Sequence, residues 1–250
     1  MVHKSTYIGF AVALNVSLCT VAIAQTHGYS DALGGSTEVG SSSLRLHGNS
    51  YAGRESNPYV GGAFTYQFRE ALAFQVRGGF ASRSTHSLGF PKETGGTDLE
   101  ARILYYCGPY FFAIGGAMPD TPAQDEAAWT ATAGWRGTRE EGAYFAGLTM
   151  VTSDTVTLLG VGGAARIPLN DRFGLEVSGT AVVRGPNTVS IVDGSLEQRP
   201  LWSAAFRYMA NDRTNIWFGM GNALGESTGL SLTPRLSRGS GIGFGFEVKF

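Results

Sequence analysis

The chain has 250 residues, with 19 basic and 20 acidic side chains, a formal net charge of −1 and 36 glycines. That near-neutral balance argues against a nucleic-acid partner. Past residue 24 no window holds 18 apolar residues, so helical membrane spans are excluded and any membrane crossing must use a closed barrel.

In chain order, Met1 to Lys4 is short and basic, Tyr7 to Ala24 is mostly apolar, and Ala22-Ile23-Ala24 offers a small-x-small cleavage site. This pattern predicts a secretory signal peptide over 1–24, cleaved before Gln25. The expected mature chain, 25–250, is a single domain of 226 residues with 18 basic and 20 acidic side chains. Cys107 is then its only cysteine, so no intramolecular disulfide can form.

Segments of about ten residues with alternating apolarity follow, separated by turn residues. Strands are predicted at 36–47, 58–68, 71–82, 97–106, 109–118, 127–137, 142–153, 157–168, 173–184, 199–210, 214–224 and 241–250. The first alternates poorly, so ten strands with an irregular N-terminal segment is the alternative to twelve. Short links fall at Arg69-Glu70, Cys107-Gly108, Thr138 to Glu141, Asn170-Asp171-Arg172 and Asn211-Asp212-Arg213. Asn and Asp suit tight reversal because they tolerate left-handed backbone and hydrogen-bond their own main chain. Longer polar loops fall at about 48–57, 83–96, 119–126, 185–198 and 225–239, with a short joint at Ser153-Asp154-Thr155.

The alternation sorts side chains into two faces. Phe64, Tyr66, Phe68, Phe74, Phe80, Tyr110, Phe112, Ile114, Trp129, Trp135, Phe206 and Phe218 fall on an apolar face suited to lipid. Gln75, Arg77, Asp98, Glu100, Arg102, Arg136, Arg166, Glu176, Arg207, Glu247 and Lys249 fall on the other. A charge facing lipid near the midplane costs about 2–4 kcal/mol, so these are candidate lumen-lining residues. Arg77 with Glu100, and Arg166 with Glu176, lie on adjacent strands and are expected to pair. Inward glycines are expected to widen the bore, although loops folded inward would block it.

The final strand, Gly241 to Phe250, places Ile242, Phe244, Phe246, Val248 and Phe250 on one side. It resembles the C-terminal signal of Gram-negative outer-membrane β-barrel proteins: Phe250 at the end, Val248 two residues earlier and Gly245 upstream. With the leader and the hairpin rhythm, nearly the whole chain resembles that general class, without a subfamily motif. The resemblance implies an all-β, antiparallel up-and-down barrel with short periplasmic turns and long extracellular loops. It also implies residence in outer-membrane lipid and insertion by the barrel-assembly machinery.

Catalytic and metal chemistry have little purchase. The mature histidines are His27, His47 and His86, none in a well-marked strand, and Ser84-Thr85-His86-Ser87 has the composition of a Ser–His site without its third partner. The histidines and Cys107 lack metal-ligand spacing. No catalytic residue, metal or cofactor is therefore assigned. The expected function is a porin-like channel for ions or small polar solutes, with inward charges setting selectivity. A non-conducting surface barrel that binds a partner through its loops is the alternative, and a lipid-modifying enzyme comes third. Solute and oligomeric state are not encoded in any motif.

Overall fold

The computed structural model describes residues 29–34, 38–51, 58–81, 97–118, 126–139, 142–189, 194–223, 235–236 and 240–250. The expected signal peptide, His27, His86 and the 83–96 loop lie outside these residues. A short helix, α1 (Ser30–Gly34), precedes the strands. Nine strands follow in sequence: β1 (Ser42–Tyr51), β2 (Pro58–Arg69), β3 (Leu72–Ala81), β4 (Thr97–Cys107), β5 (Tyr110–Met118), β6 (Ala128–Arg139), β7 (Gly142–Thr152), β8 (Thr157–Pro168) and β9 (Phe173–Arg184). Beyond these come β10 (Thr188–Val189), β11 (Leu196–Glu197), β12 (Leu201–Asn211), β13 (Thr214–Gly221), β14 (Arg235–Leu236) and β15 (Gly241–Lys249).

Twelve of these strands form a closed antiparallel barrel. Each long strand pairs with its neighbour in sequence, β9 pairs with β12 and β13 with β15. The ring closes where β15 pairs with β1, from Ser43 opposite Lys249 to Tyr51 opposite Gly241. Closure leaves no strand edge unpaired, which lipid requires because it offers no hydrogen bonds to a free backbone group.

Eleven strands lie within a few residues of their predicted positions. The first does not: it runs from Ser42 to Tyr51, so 38–41 is not strand and 48–51 is not loop. Its inward positions are Arg45, His47 and Asn49, and its outward positions mix Leu44 and Leu46 with Gly48 and Ser50. Serine and glycine outside, with charge inside, blur the apolar period on which the sequence boundary depends.

The outer surface is an apolar belt. Phe64, Phe80, Tyr110, Ile114, Trp129 and Phe218 are all exposed on it. The turns at one end are tight. Gly108 adopts φ +54° in the β4–β5 turn, a left-handed conformation that glycine takes without a steric cost. In the β8–β9 and β12–β13 turns, the side chains of Asn170 and Asn211 accept a hydrogen bond from the backbone N–H of Arg172 and Arg213, both at 2.9 Å. The repeated Asn-Asp-Arg sequence is thus a repeated Asx turn.

At the opposite end β10, β11 and β14 make a small separate sheet, with β10 and β14 parallel. This sheet draws on both segments read as long polar loops, 185–198 and 225–239. Asn187 and Thr188 within it are completely buried. The short joint between β7 and β8 is a real hairpin, closed by Ser153 N–H donating to the Val156 carbonyl at 2.8 Å.

Candidate functional site

The lumen contains α1. The helix packs against β6, β7 and β8, where Tyr29, Ala32 and Leu33 join a cluster with Leu104, Phe111 and Phe145. The Tyr29 ring lies 4.9 Å from that of Phe145, and its hydroxyl accepts a hydrogen bond from Thr180 at 3.3 Å. The carbonyls at the helix end are satisfied from the wall: Tyr106 Oη donates to Asp31 O at 3.2 Å and Arg136 Nη1 to Ala32 O at 3.5 Å. A five-residue helix has almost no stability of its own, so these contacts hold it.

Its polar side reaches across the bore. The Asp31 carboxylate ion-pairs with Arg45 of β1 at 2.6 Å, with Arg77 of β3 at 3.4 Å, and with Arg102 of β4. It also accepts a hydrogen bond from Gln75 at 3.1 Å. Gln75 in turn accepts from Arg102 Nε at 2.8 Å. All of these side chains are buried. In such a setting one carboxylate among three guanidiniums supplies attraction that solvent would otherwise provide.

From Asp31 an alternating chain of charges continues along the wall. Arg45 contacts Glu247 at 3.2 Å, Glu247 contacts Arg207 at 3.8 Å, and Arg207 contacts Glu176 at 2.6 Å. Glu176 then meets Arg166 at 2.9 Å. This ladder crosses the β15–β1 seam, with three acids and three arginines in strict alternation.

The candidate lumen residues therefore fall into several settings. Gln75, Arg77, Asp98, Glu100, Arg102, Glu176 and Glu247 are buried inside the barrel; Arg166 and Arg207 are partly buried on the ladder. Arg136 sits over the Tyr106 ring at 5.2 Å, and Lys249 is exposed at the rim. Arg166 and Glu176 pair as expected. Arg77 and Glu100 face each other in the ladder register, but Arg77 Nη1 is turned to Asp31 and Glu100 Oε1 accepts from Thr130 at 2.7 Å. Glu100 Oε2 is left without a hydrogen-bond partner among the described residues. Of the strand-end residues, Gly245 is buried inward, Val248 is half-buried and Phe250 is 67% exposed.

The inward glycines do not widen the bore. A Cβ on Gly79 would lie 1.8 Å from Tyr59 Oη, and one on Gly61 would lie 2.7 Å from His47 Nε2. Gly134 and Gly147 make the same allowance for the Phe145 ring, and Gly245 for Trp217. Each of these five glycines is a recess for an inward-pointing ring, so the space beside it is filled rather than enlarged. His47 therefore belongs to a strand after all. It is buried in β1, stacked on Tyr59 at 5.6 Å, and neither ring nitrogen has a hydrogen-bond partner among the described residues.

Sequence reasoning did not find α1, Asp31 or the inward roles of Arg45, Tyr59 and Trp217. One signal was available. The predicted lumen set holds six cations, Arg77, Arg102, Arg136, Arg166, Arg207 and Lys249, against four acids. An acid from outside the wall was needed, and Asp31 is the first acid in the chain.

At the end of the barrel that carries the tight turns, the lumen opens into a vestibule of about 720 Å³. Its floor includes Asp31 and Gly34 of α1, and its rim includes residues of both Asn-Asp-Arg turns.

No family model matches the chain, and no curated protein matches it. Among solved structures, an outer membrane channel from Pseudomonas putida F1 is similar at 12% identity and a TM-score of 0.45, over 86% of this chain and 96% of that one. OmpF from Salmonella typhi, in a complex with daunomycin, is similar at 8% identity and a TM-score of 0.40, over 84% and 96%. Both are barrel likenesses at a distance that carries no residue-level argument. The closed antiparallel barrel, apolar outside and polar inside, rests on this chain's own strand pairing and burial, and defines the architecture of an outer-membrane-type β-barrel.

Proposed function

We propose that the barrel is a porin-like outer-membrane channel for small polar solutes, held closed by α1. The observation that carries this reading is the Asp31 carboxylate, supplied by a short helix inside the bore to three wall arginines. A barrel built only to be solid could satisfy its arginines from its own strands. Here the carboxylate that meets these three arginines arrives on a single helical turn at the bore. Removal of α1 would expose a polar, arginine-rich passage, which favours anions over cations of the same size. The tight-turn end is assigned to the periplasm, and the segment ending in Phe250 to recognition by the assembly machinery.

Planar-bilayer recording on refolded protein tests the reading. The full chain is expected to show rare, brief openings, and a variant lacking Tyr29 to Gly34 a steady conductance with anion preference. Silence from a correctly folded deletion variant would sink the channel.

A second reading is favoured by the burial of Asn187 and Thr188 at the start of β10 in the small sheet. In it, the barrel is a non-conducting support for its external segments. That reading expects no conductance from either protein, and loss of partner binding when 185–198 is deleted while the barrel still folds.

A further inference from the structure

The repeated Asn-Asp-Arg turns do more than reverse the chain. In each, the Asn side chain fixes the backbone N–H of the arginine two residues on, and both arginines reach the same vestibule. Arg139 and Lys249 line it as well. All four cations are exposed, and none makes an ion pair among the described residues. The acids facing this space are Asp31, Glu247, Glu38 and Asp212. Asp31 and Glu247 already serve buried arginines on the ladder, leaving Glu38 and Asp212 as the other lining acids among the described residues beside these four cations.

We infer that the vestibule is a binding site for a small organic polyanion carrying two or more carboxylate or phosphate groups, with Arg172 and Arg213 as its principal contacts. Three features support this. The cavity, at about 720 Å³, lies in the range that small ligands occupy. Guanidiniums bind carboxylates and phosphates with two parallel hydrogen bonds, which makes arginine the side chain suited to such groups. The Asx turns hold the two arginines on rigid backbone, reducing the order that a ligand must impose. As a statement about the solute of the channel, the inference rests on the function proposed above; as a binding site, it needs no open lumen.

Isothermal titration of the refolded full chain in detergent micelles, with citrate and inorganic pyrophosphate as probes and sorbitol as the neutral control, tests it. Saturable binding of at least one anion is expected, with none for sorbitol, and weakening as salt rises. The Arg172→Gln/Arg213→Gln double variant keeps the backbone N–H groups that the turns use, and is expected to bind roughly tenfold more weakly or worse. Asp212→Asn removes an opposing charge and is expected to bind more tightly, which a folding defect would not mimic. Binding of neither anion, or equal affinity in wild type and both variants, would overturn the site. Binding without conductance would remove the channel and leave the site; conductance without binding would do the reverse.

Discussion

Asp31 is the residue on which most of the interior turns. Its carboxylate faces Arg45, Arg77 and Arg102, all of them buried. Removing one member of a buried ion pair leaves the partners' charges unsolvated, at a cost of about 3–5 kcal/mol. Asp31→Asn is nearly isosteric and isolates that charge. It is expected to lower the unfolding free energy in urea by an amount in that range, read by the loss of β-sheet circular dichroism; an unchanged midpoint would mean that water already reaches the arginines. Glu176 stands in a similar position between Arg166 and Arg207. Glu176→Gln is expected to destabilise the barrel more than Glu197→Gln, because the Glu197–Arg199 pair at 2.9 Å is exposed and such pairs contribute about 0–1 kcal/mol. The inward placement of Arg166 and Glu176 was legible in the sequence, since a charge at an inward step of the period has nowhere else to go. Asp31 was not, because a single helical turn has no period and its partners lie 14 to 71 residues away.

At the scale of elements, β5 shows how strictly the two faces differ. Its residues alternate between exposed and buried from Tyr110 to Met118 without exception. Gly115 is on the inner face, where a Cβ would lie 2.2 Å from the backbone oxygen of Ala101; Gly116 is on the outer face with nothing within 4 Å. Gly115→Ala is expected to destabilise the barrel by about 1–3 kcal/mol, and Gly116→Ala by much less. Comparable midpoints for the two in urea would contradict the assigned faces. Strand positions were largely legible because a strand with lipid on one side and polar groups on the other writes its period plainly. What the period could not distinguish was an inward ring from an outward one. Tyr59, Phe111, Phe145 and Trp217 occupy inner positions. Tyr59, Phe145 and Trp217 pack there in glycine recesses, and Phe111 packs on the Tyr106 and Phe145 rings, relations between neighbouring strands that no single segment displays.

For the whole molecule, the four tryptophans report on its setting. Trp129, Trp135 and Trp202 are exposed on the outer belt, while Trp217 is 4% exposed and faces the lumen. In vesicles containing brominated lipid, single-tryptophan variants retaining any of the first three are expected to be quenched strongly. The variant retaining Trp217 is expected to be quenched weakly, and strong quenching there would mean that β13 is inverted. Lipid-facing apolar surface and a hydrogen-bonded ring with no free edge were both implied by composition and hairpin rhythm. That the ring encloses a filled space was not, because chain length and strand number fix the circumference and leave the contents open.

The Arg45–Glu247 contact joins residues 202 positions apart, on the first and last strands of the ring. It therefore spans the seam at which the ring closes. Sliding β15 by one residue would set Phe246 or Val248 opposite Arg45, and paired residues share a face. Either the arginine would then meet lipid or an apolar side chain would enter the ladder, and the former alone costs about 2–4 kcal/mol. The ladder thus acts as a checksum on assembly: it balances only for a ring that has been closed in the right register.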